Sequence, residues 1–152
     1  MVETNDRRLP VGIQSFEEIR KNGYLYVDKT DIIWQLANKG KTYNYLIRPR
    51  RFGKSVLVDT LEAYFMGKKE LFEGLKIMQM ETEWVKRPVI RLDMSRAGAE
   101  PETLRSYLNN IFKQYEEEYS LAPDPTDSLA DRFNAIIVGA YEQTGQQVAI
   151  LI

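Results

Sequence analysis

Two residue types are missing altogether: the 152-residue chain has no cysteine and no histidine. Without thiols there is no disulfide framework and no thiolate metal site. Without imidazole, a Ser-His-Asp triad, a histidine general base and histidine metal ligands are all excluded. A surplus of one charge sign is missing too. The 21 Lys and Arg against 22 Asp and Glu leave a net charge of −1, so the molecule as a whole makes no electrostatic case for nucleic acid. Nor is there an apolar run long enough to cross a bilayer, and Met1 to Pro10 lacks the apolar centre of a signal peptide. No membrane partner and a cytoplasmic location are therefore expected. What remains is ordinary for a soluble domain with a sizeable core: 43% apolar and 28% charged residues.

The most informative stretch runs from Tyr43 to Ser55, Tyr-Asn-Tyr-Leu-Ile-Arg-Pro-Arg-Arg-Phe-Gly-Lys-Ser. Thr42 to Ile47 reads as an apolar strand, Arg48 to Phe52 as a basic loop, and Gly53-Lys54-Ser55 as the opening of a helix through Phe65. Strand, loop and helix in that order are the setting of a phosphate-binding P-loop. Backbone N–H groups wrap the phosphates, and the helix N-terminus adds partial positive charge. In that reading Lys54 reaches the β- and γ-phosphates and the Ser55 hydroxyl ligates Mg²⁺. Arg50, Arg51, Phe52, Gly53, Lys54, Ser55 and Val56 form the expected cradle for ATP. The first glycine of G-x-x-x-x-G-K-[ST] is replaced by Arg48, so only the second half of the motif is intact.

These residues also carry a resemblance. Arg48-Pro49-Arg50-Arg51-Phe52-Gly53-Lys54-Ser55, with Tyr26-Val27-Asp28-Lys29-Thr30 upstream, resembles the bacterial AAA-ATPase-like family from Leu9 to Ile152. Arginine at the first-glycine position is normal there. The resemblance implies an ATPase, and a C-terminal PD-(D/E)XK nuclease-like domain in the parent protein through which nucleic acid becomes a partner. It also implies that Asp28, Lys29 and Thr30 lie near the nucleotide. The plainer reading of those three is a helix cap with a solvated lysine.

Elsewhere the chain alternates helices and strands, and the expected fold is α/β: a P-loop NTPase-like, mostly parallel sheet flanked by helices. Residues 1–10 read as a flexible arm and 11–152 as the domain. Ser15-Phe16-Glu17-Glu18 opens a short helix, Tyr24 to Val27 is a strand candidate, and Asp31 to Asn38 is helical. Pro88 to Asp93 is a strand ending in a carboxylate. Asp93 is thus a candidate catalytic residue that orients water or metal beyond the strand's carboxyl end, or else a turn residue. Pro101 starts a long helix with Leu104, Tyr107, Leu108, Ile111, Phe112, Tyr115 and Tyr119 on one stripe, read as core. Glu116-Glu117-Glu118 reads as a solvated helix end. Ser128 and Asp131 cap a further helix that Gly145 stops.

Val148 to Ile152 is a continuous apolar run, the mark of a buried parallel strand. It stands where a P-loop ATPase carries its second, Mg²⁺-holding acid, and in the resembling family Asp-Glu-Tyr-Asp follows. The expectation is a truncated domain, hydrolytically weak, whose unpaired strand edges lead to self-association. Two other readings stay open. One is a nucleic-acid module built on Arg48, Arg50, Arg51 and Lys54 with Tyr43 and Tyr45, against which stands their place on a presumed core strand. The other is a structural relic that binds protein partners.

Overall fold

The computed structural model describes residues 8–40, 42–47, 49, 52–98, 100–124 and 126–152. They gather into two compact units, one ending at Val85 and one beginning at Lys86.

The first unit is helical. Ser15 caps α1 (Phe16–Lys21) by accepting a hydrogen bond from the Glu18 amide at 3.3 Å. Six residues are too few to hold a helix alone, and tertiary contacts supply the rest. The Phe16 amide donates to Asp59 Oδ2 at 2.7 Å, while Arg20 donates from Nε to the Leu71 carbonyl at 2.7 Å and from Nη2 to that of Glu73 at 2.6 Å. Next come α2 (Thr30–Asn38) and α3 (Lys54–Phe65), then short 3-10 turns at Lys69–Phe72 and Lys76–Gln79.

Phe16, Ile33, Phe72 and Ile77 are fully enclosed between these elements, with Tyr64 and Ala63 of α3 beside them. Aromatic edges knit the cluster: Phe16 lies 5.0 Å from Phe72 and 5.1 Å from Tyr26, and Phe72 lies 5.0 Å from Trp84, centroid to centroid. Each such buried side chain contributes about 1.5–3 kcal/mol of transfer free energy. The helix stripe of Leu57, Leu61, Tyr64 and Phe65 therefore packs on helices and turns.

The second unit holds a two-stranded parallel sheet. Val89–Arg91 (β1) pairs with Ala149–Leu151 (β2), Ile90 opposite Ile150. Between them in sequence lie α4 (Pro101–Glu118), which takes proline in its first turn, and α5 (Leu129–Thr144). Ser128 and Asp131 form the full reciprocal capping box of α5, and Gly145 ends it in the left-handed region at φ 64°. Ile90 and Leu92 of the sheet side meet Phe112, Tyr119, Ile136 and Ala140 from the two helices, and Phe112 stacks on Phe133 at 5.4 Å. The architecture is thus α/β with a small parallel sheet and helices.

Three expectations are corrected. Thr42 to Ile47 and Tyr24 to Val27 are not strands: among the described residues only β1 and β2 share a ladder. Branched and aromatic side chains favour a strand, but hydrogen bonds to a neighbour make one. The parallel sheet, expected to be incomplete, has two strands among the described residues. Glu116 is no part of a solvated helix end. Its side chain is 7% exposed and ion-paired to Arg132 at 2.6 Å, and Asn109 accepts a further bond from Arg132 at 2.5 Å.

Candidate functional site

Gly53 sets the geometry of the site. It is the N-cap of α3 at φ 71°, ψ 22°, and no side chain caps the helix there. A Cβ on Gly53 meets nothing within 4 Å, so glycine is required for its backbone conformation and not for space. The first turn bond of the helix runs from the Leu57 amide to the Gly53 carbonyl at 3.0 Å. Among the described residues, no acceptor takes the amides of Lys54, Ser55 or Val56. The first turn also contains no acidic residue that would neutralise the positive end of the helix.

Lys54 and Ser55 are exposed, Phe52 is 63% exposed, and Val56 is half-buried against the unit. Phe52, Gly53, Lys54, Ser55 and Val56 are therefore brought together at one helix start. Arg48, Arg50 and Arg51 lie outside the described residues.

The helix beneath this turn is held firmly. Thr60, fully buried, donates to the Val56 carbonyl at 2.7 Å. Asp59 takes the Phe16 amide, and Tyr64 accepts from Asn38 Nδ2 at 3.0 Å while donating to Glu81. Burial acts to raise the Glu81 carboxyl, but the Tyr64 hydroxyl and the amides of Glu83, Thr82 and Trp84 outweigh it and hold it below the usual range. Asp59 and Glu81 escaped sequence reasoning. Their partners stand 43 and 17 positions away, and no motif spacing marks such pairs.

Asp28 and Thr30 serve as a lock within the fold. Asp28 Oδ1 accepts from the Thr30 amide at 2.9 Å and hydroxyl at 2.7 Å, and Oδ2 accepts from the Lys76 amide at 2.8 Å. Thr30 Oγ1 in turn accepts from the Ile77 amide at 3.1 Å. Burial acts to raise the Asp28 carboxyl; the Thr30 hydroxyl, with the Thr30 and Lys76 amides, carries it below its ordinary value. These bonds tie the start of α2 to the turn at Lys76–Gln79, the N-cap of α2 is Lys29 with no side-chain cap, and Lys29 is exposed.

Asp93 belongs to the other unit. It follows β1 and caps the 3-10 turn Met94–Arg96. Oδ1 accepts from the Ser95 amide at 3.2 Å and hydroxyl at 2.5 Å, and Oδ2 lies 3.5 Å from Arg96 Nε. The Ser95 hydroxyl is the main cause of its lowered carboxyl pKa. No group of three or more acids among the described residues converges as a metal site. No helix among them is long and apolar enough to cross a membrane.

Residues 10–152 match the family model AAA-ATPase_like, described as "Predicted AAA-ATPase". The chain is 35% identical over 149 residues to the "Uncharacterized protein in vnfD 5'region" of Azotobacter chroococcum mcd 1. That alignment takes in 96% of this chain and 28% of the relative, so the chain spans little more than a quarter of the relative's length. No solved structure matches it.

Proposed function

This chain belongs to the AAA-ATPase-like family, and from that premise we propose that it binds a nucleoside triphosphate with Mg²⁺ at the start of α3. The observation that carries the reading is the left-handed Gly53, which opens a 12-residue helix whose first amides meet no described acceptor. A helix start of this kind suits an anion. Its donor set also fits the ligand chemically: three backbone amides for phosphate oxygens, one ammonium and one hydroxyl.

In this reading the amides of Lys54, Ser55 and Val56 bind phosphate oxygens. Phe52 and Gly53 shape the entry, and Arg50 and Arg51 add charge to the loop. The Lys54 ammonium sits where negative charge accumulates in phosphoryl transfer, which is the term that counts most in such chemistry. Ser55 Oγ is the protein's own contribution to Mg²⁺ coordination, and the metal supplies charge neutralisation when bound. Asp93 stands in the other unit as a turn-capping carboxylate, held below its ordinary pKa chiefly by the Ser95 hydroxyl, and is assigned no part in this site.

The test is a thermal melt with and without Mg-ATP. A ligand present at 100 times its Kd stabilises by about 2.7 kcal/mol, which for a chain of this size raises Tm by roughly 5–11 °C. Lys54→Ala is expected to abolish the shift while leaving the unliganded Tm unchanged, because Lys54 is exposed. An equal shift in wild type and variant, or no shift in the wild type, overturns the reading.

A further inference from the structure

A cavity of about 460 Å³ opens in the second unit, between α4, the first turn of α5 and the stretch 121–123 that follows α4. That is the size of a small-molecule site. Its floor is charged and satisfied within itself. Arg132 spends three of its five N–H donors on the enclosed Glu116 carboxylate and on Asn109 Oδ1. One N–H on each terminal nitrogen of Arg132, and Asn109 Nδ2, meet no described acceptor. The rim carries a second pair of charges. Lys113 and Glu117 stand one turn apart on α4, the spacing at which such side chains can meet, yet among the described residues no ion pair joins them. Leu121 and Pro123 form an apolar wall. We propose that this cavity binds a small zwitterion with an apolar side chain, a free amino acid or a short peptide. Its carboxylate lies on Lys113 and the spare donors of Arg132 and Asn109, its ammonium on Glu117, and its side chain against Leu121 and Pro123.

The balance of charge selects this ligand. Glu116 and Arg132 cancel, so the floor offers donors without net charge, and the unspent charges are one cation and one anion. A ligand that is only an anion meets Glu117, and one that is only a cation meets Lys113. An enclosed ion pair adds little stability over apolar side chains of the same volume. Here it fixes a guanidinium at the bottom of an open cavity. The wall is set as firmly. The chain leaves α4 through Ser120 at φ 51°, a left-handed backbone that is costly for an L-residue. Such strain persists where the surroundings enforce it, and it gathers at ligand sites. The Leu121 amide then returns to the Glu116 carbonyl at 2.8 Å. The Leu121 side chain lies over Gly139, where a Cβ would come within 2.8 Å of Leu121 Cδ2. The proposal rests on no part of the nucleotide reading, whose residues belong to the other unit.

The experiment follows the side-chain amide resonances of Asn109 and Asn110, both in the cavity lining, while L-leucine or glycyl-L-leucine is added to the whole chain. Both are zwitterions of the required kind, and the tighter of the two identifies the source. A Kd on the order of 1 mM or below is expected for so small a ligand. The N-acetylated and C-amidated forms of each, which lack one charge, are expected to bind at least about tenfold more weakly. Glu117→Gln and Lys113→Gln replace exposed side chains, so their thermal melts match wild type, and each weakens the zwitterion at least about tenfold. Glu117→Gln no longer distinguishes the zwitterion from its N-acetyl form, and Lys113→Gln no longer distinguishes it from its amide. A merely structural role for either residue would leave that discrimination unmoved. No shift with either zwitterion overturns the proposal. So does a wild type that binds the one-charge forms as tightly as the parent, or a pair of variants that keep wild-type affinity.

Discussion

Arg132 holds the carboxylate of Glu116 with two parallel hydrogen bonds, Nε to Oε1 at 2.6 Å and Nη2 to Oε2 at 2.8 Å. The pair joins α4 to α5, and Asn109 takes a third donor of the same guanidinium. Removing one partner of an enclosed pair strands the other. Glu116→Ala is expected to destabilise the chain by about 3 kcal/mol, the low end of the range for buried pairs, because the Arg132 side chain retains 16% exposure. Urea denaturation at neutral pH checks it. A double change to Glu116→Leu and Arg132→Met should cost less than the single one, since it leaves no charge behind.

Tyr115 of α4 reaches the sheet. Its hydroxyl accepts from the Arg91 amide at 2.8 Å, closing part of β1 on the side away from β2. Tyr115→Phe takes away that acceptor and is expected to cost about 1–2 kcal/mol. Amide hydrogen exchange read residue by residue should show Arg91 speeding up more than Ile90. Unchanged exchange at Arg91 would count against this role for the hydroxyl.

Gly53→Ala probes the start of α3. No atom obstructs the added methyl, so its cost is that of a left-handed backbone for an L-residue, about 1–2 kcal/mol. The expected outcome is a folded protein, slightly less stable, whose Mg-ATP response is weakened as the first turn relaxes. Calorimetric titration beside a thermal melt separates the two effects.

Asp28 predicts a pH effect whose sign follows from its lowered carboxyl. Its bonds to Thr30 and Lys76 stabilise the folded state fully above the ordinary carboxyl value, 3.8. That contribution fades as the pH falls towards the lower folded value. Asp28→Ala should therefore be less stable than wild type at pH 7, by about 1–2 kcal/mol. The gap should narrow below about pH 4. Melts at a series of pH values test it, and a gap that widens in acid would contradict the assignment.

Helix ends were easy to read because their signals are local. Ser15, Pro101, the Ser128 and Asp131 pair and Gly145 each act within four residues of themselves, and each stands at the boundary expected of it. The runs around Ile90 and Ile150 were legible as strands because both are dense in branched side chains. Tyr24 to Val27 and Thr42 to Ile47 have similar composition and are not strands. What decides the matter is a partner's carbonyls and amides, which composition cannot reveal. Glu116 misled for a related reason: three successive glutamates look solvated until Arg132 arrives from 16 positions away. In the candidate site, Gly53, Lys54 and Ser55 were visible as a motif. The props beneath them, Asp59 and the Tyr64 to Glu81 contact, were not.

The bond from Phe16 to Asp59 has a practical use. It ties the opening of α1 to a side chain five positions beyond Lys54, on the same helix. An amide proton so placed is a natural spectroscopic reporter: any tightening or tilting of α3 alters its chemical shift without a label or an added tag. Watching that single resonance during titration would tell whether an event at the loop stays local or is felt at the other end of the helix's grip.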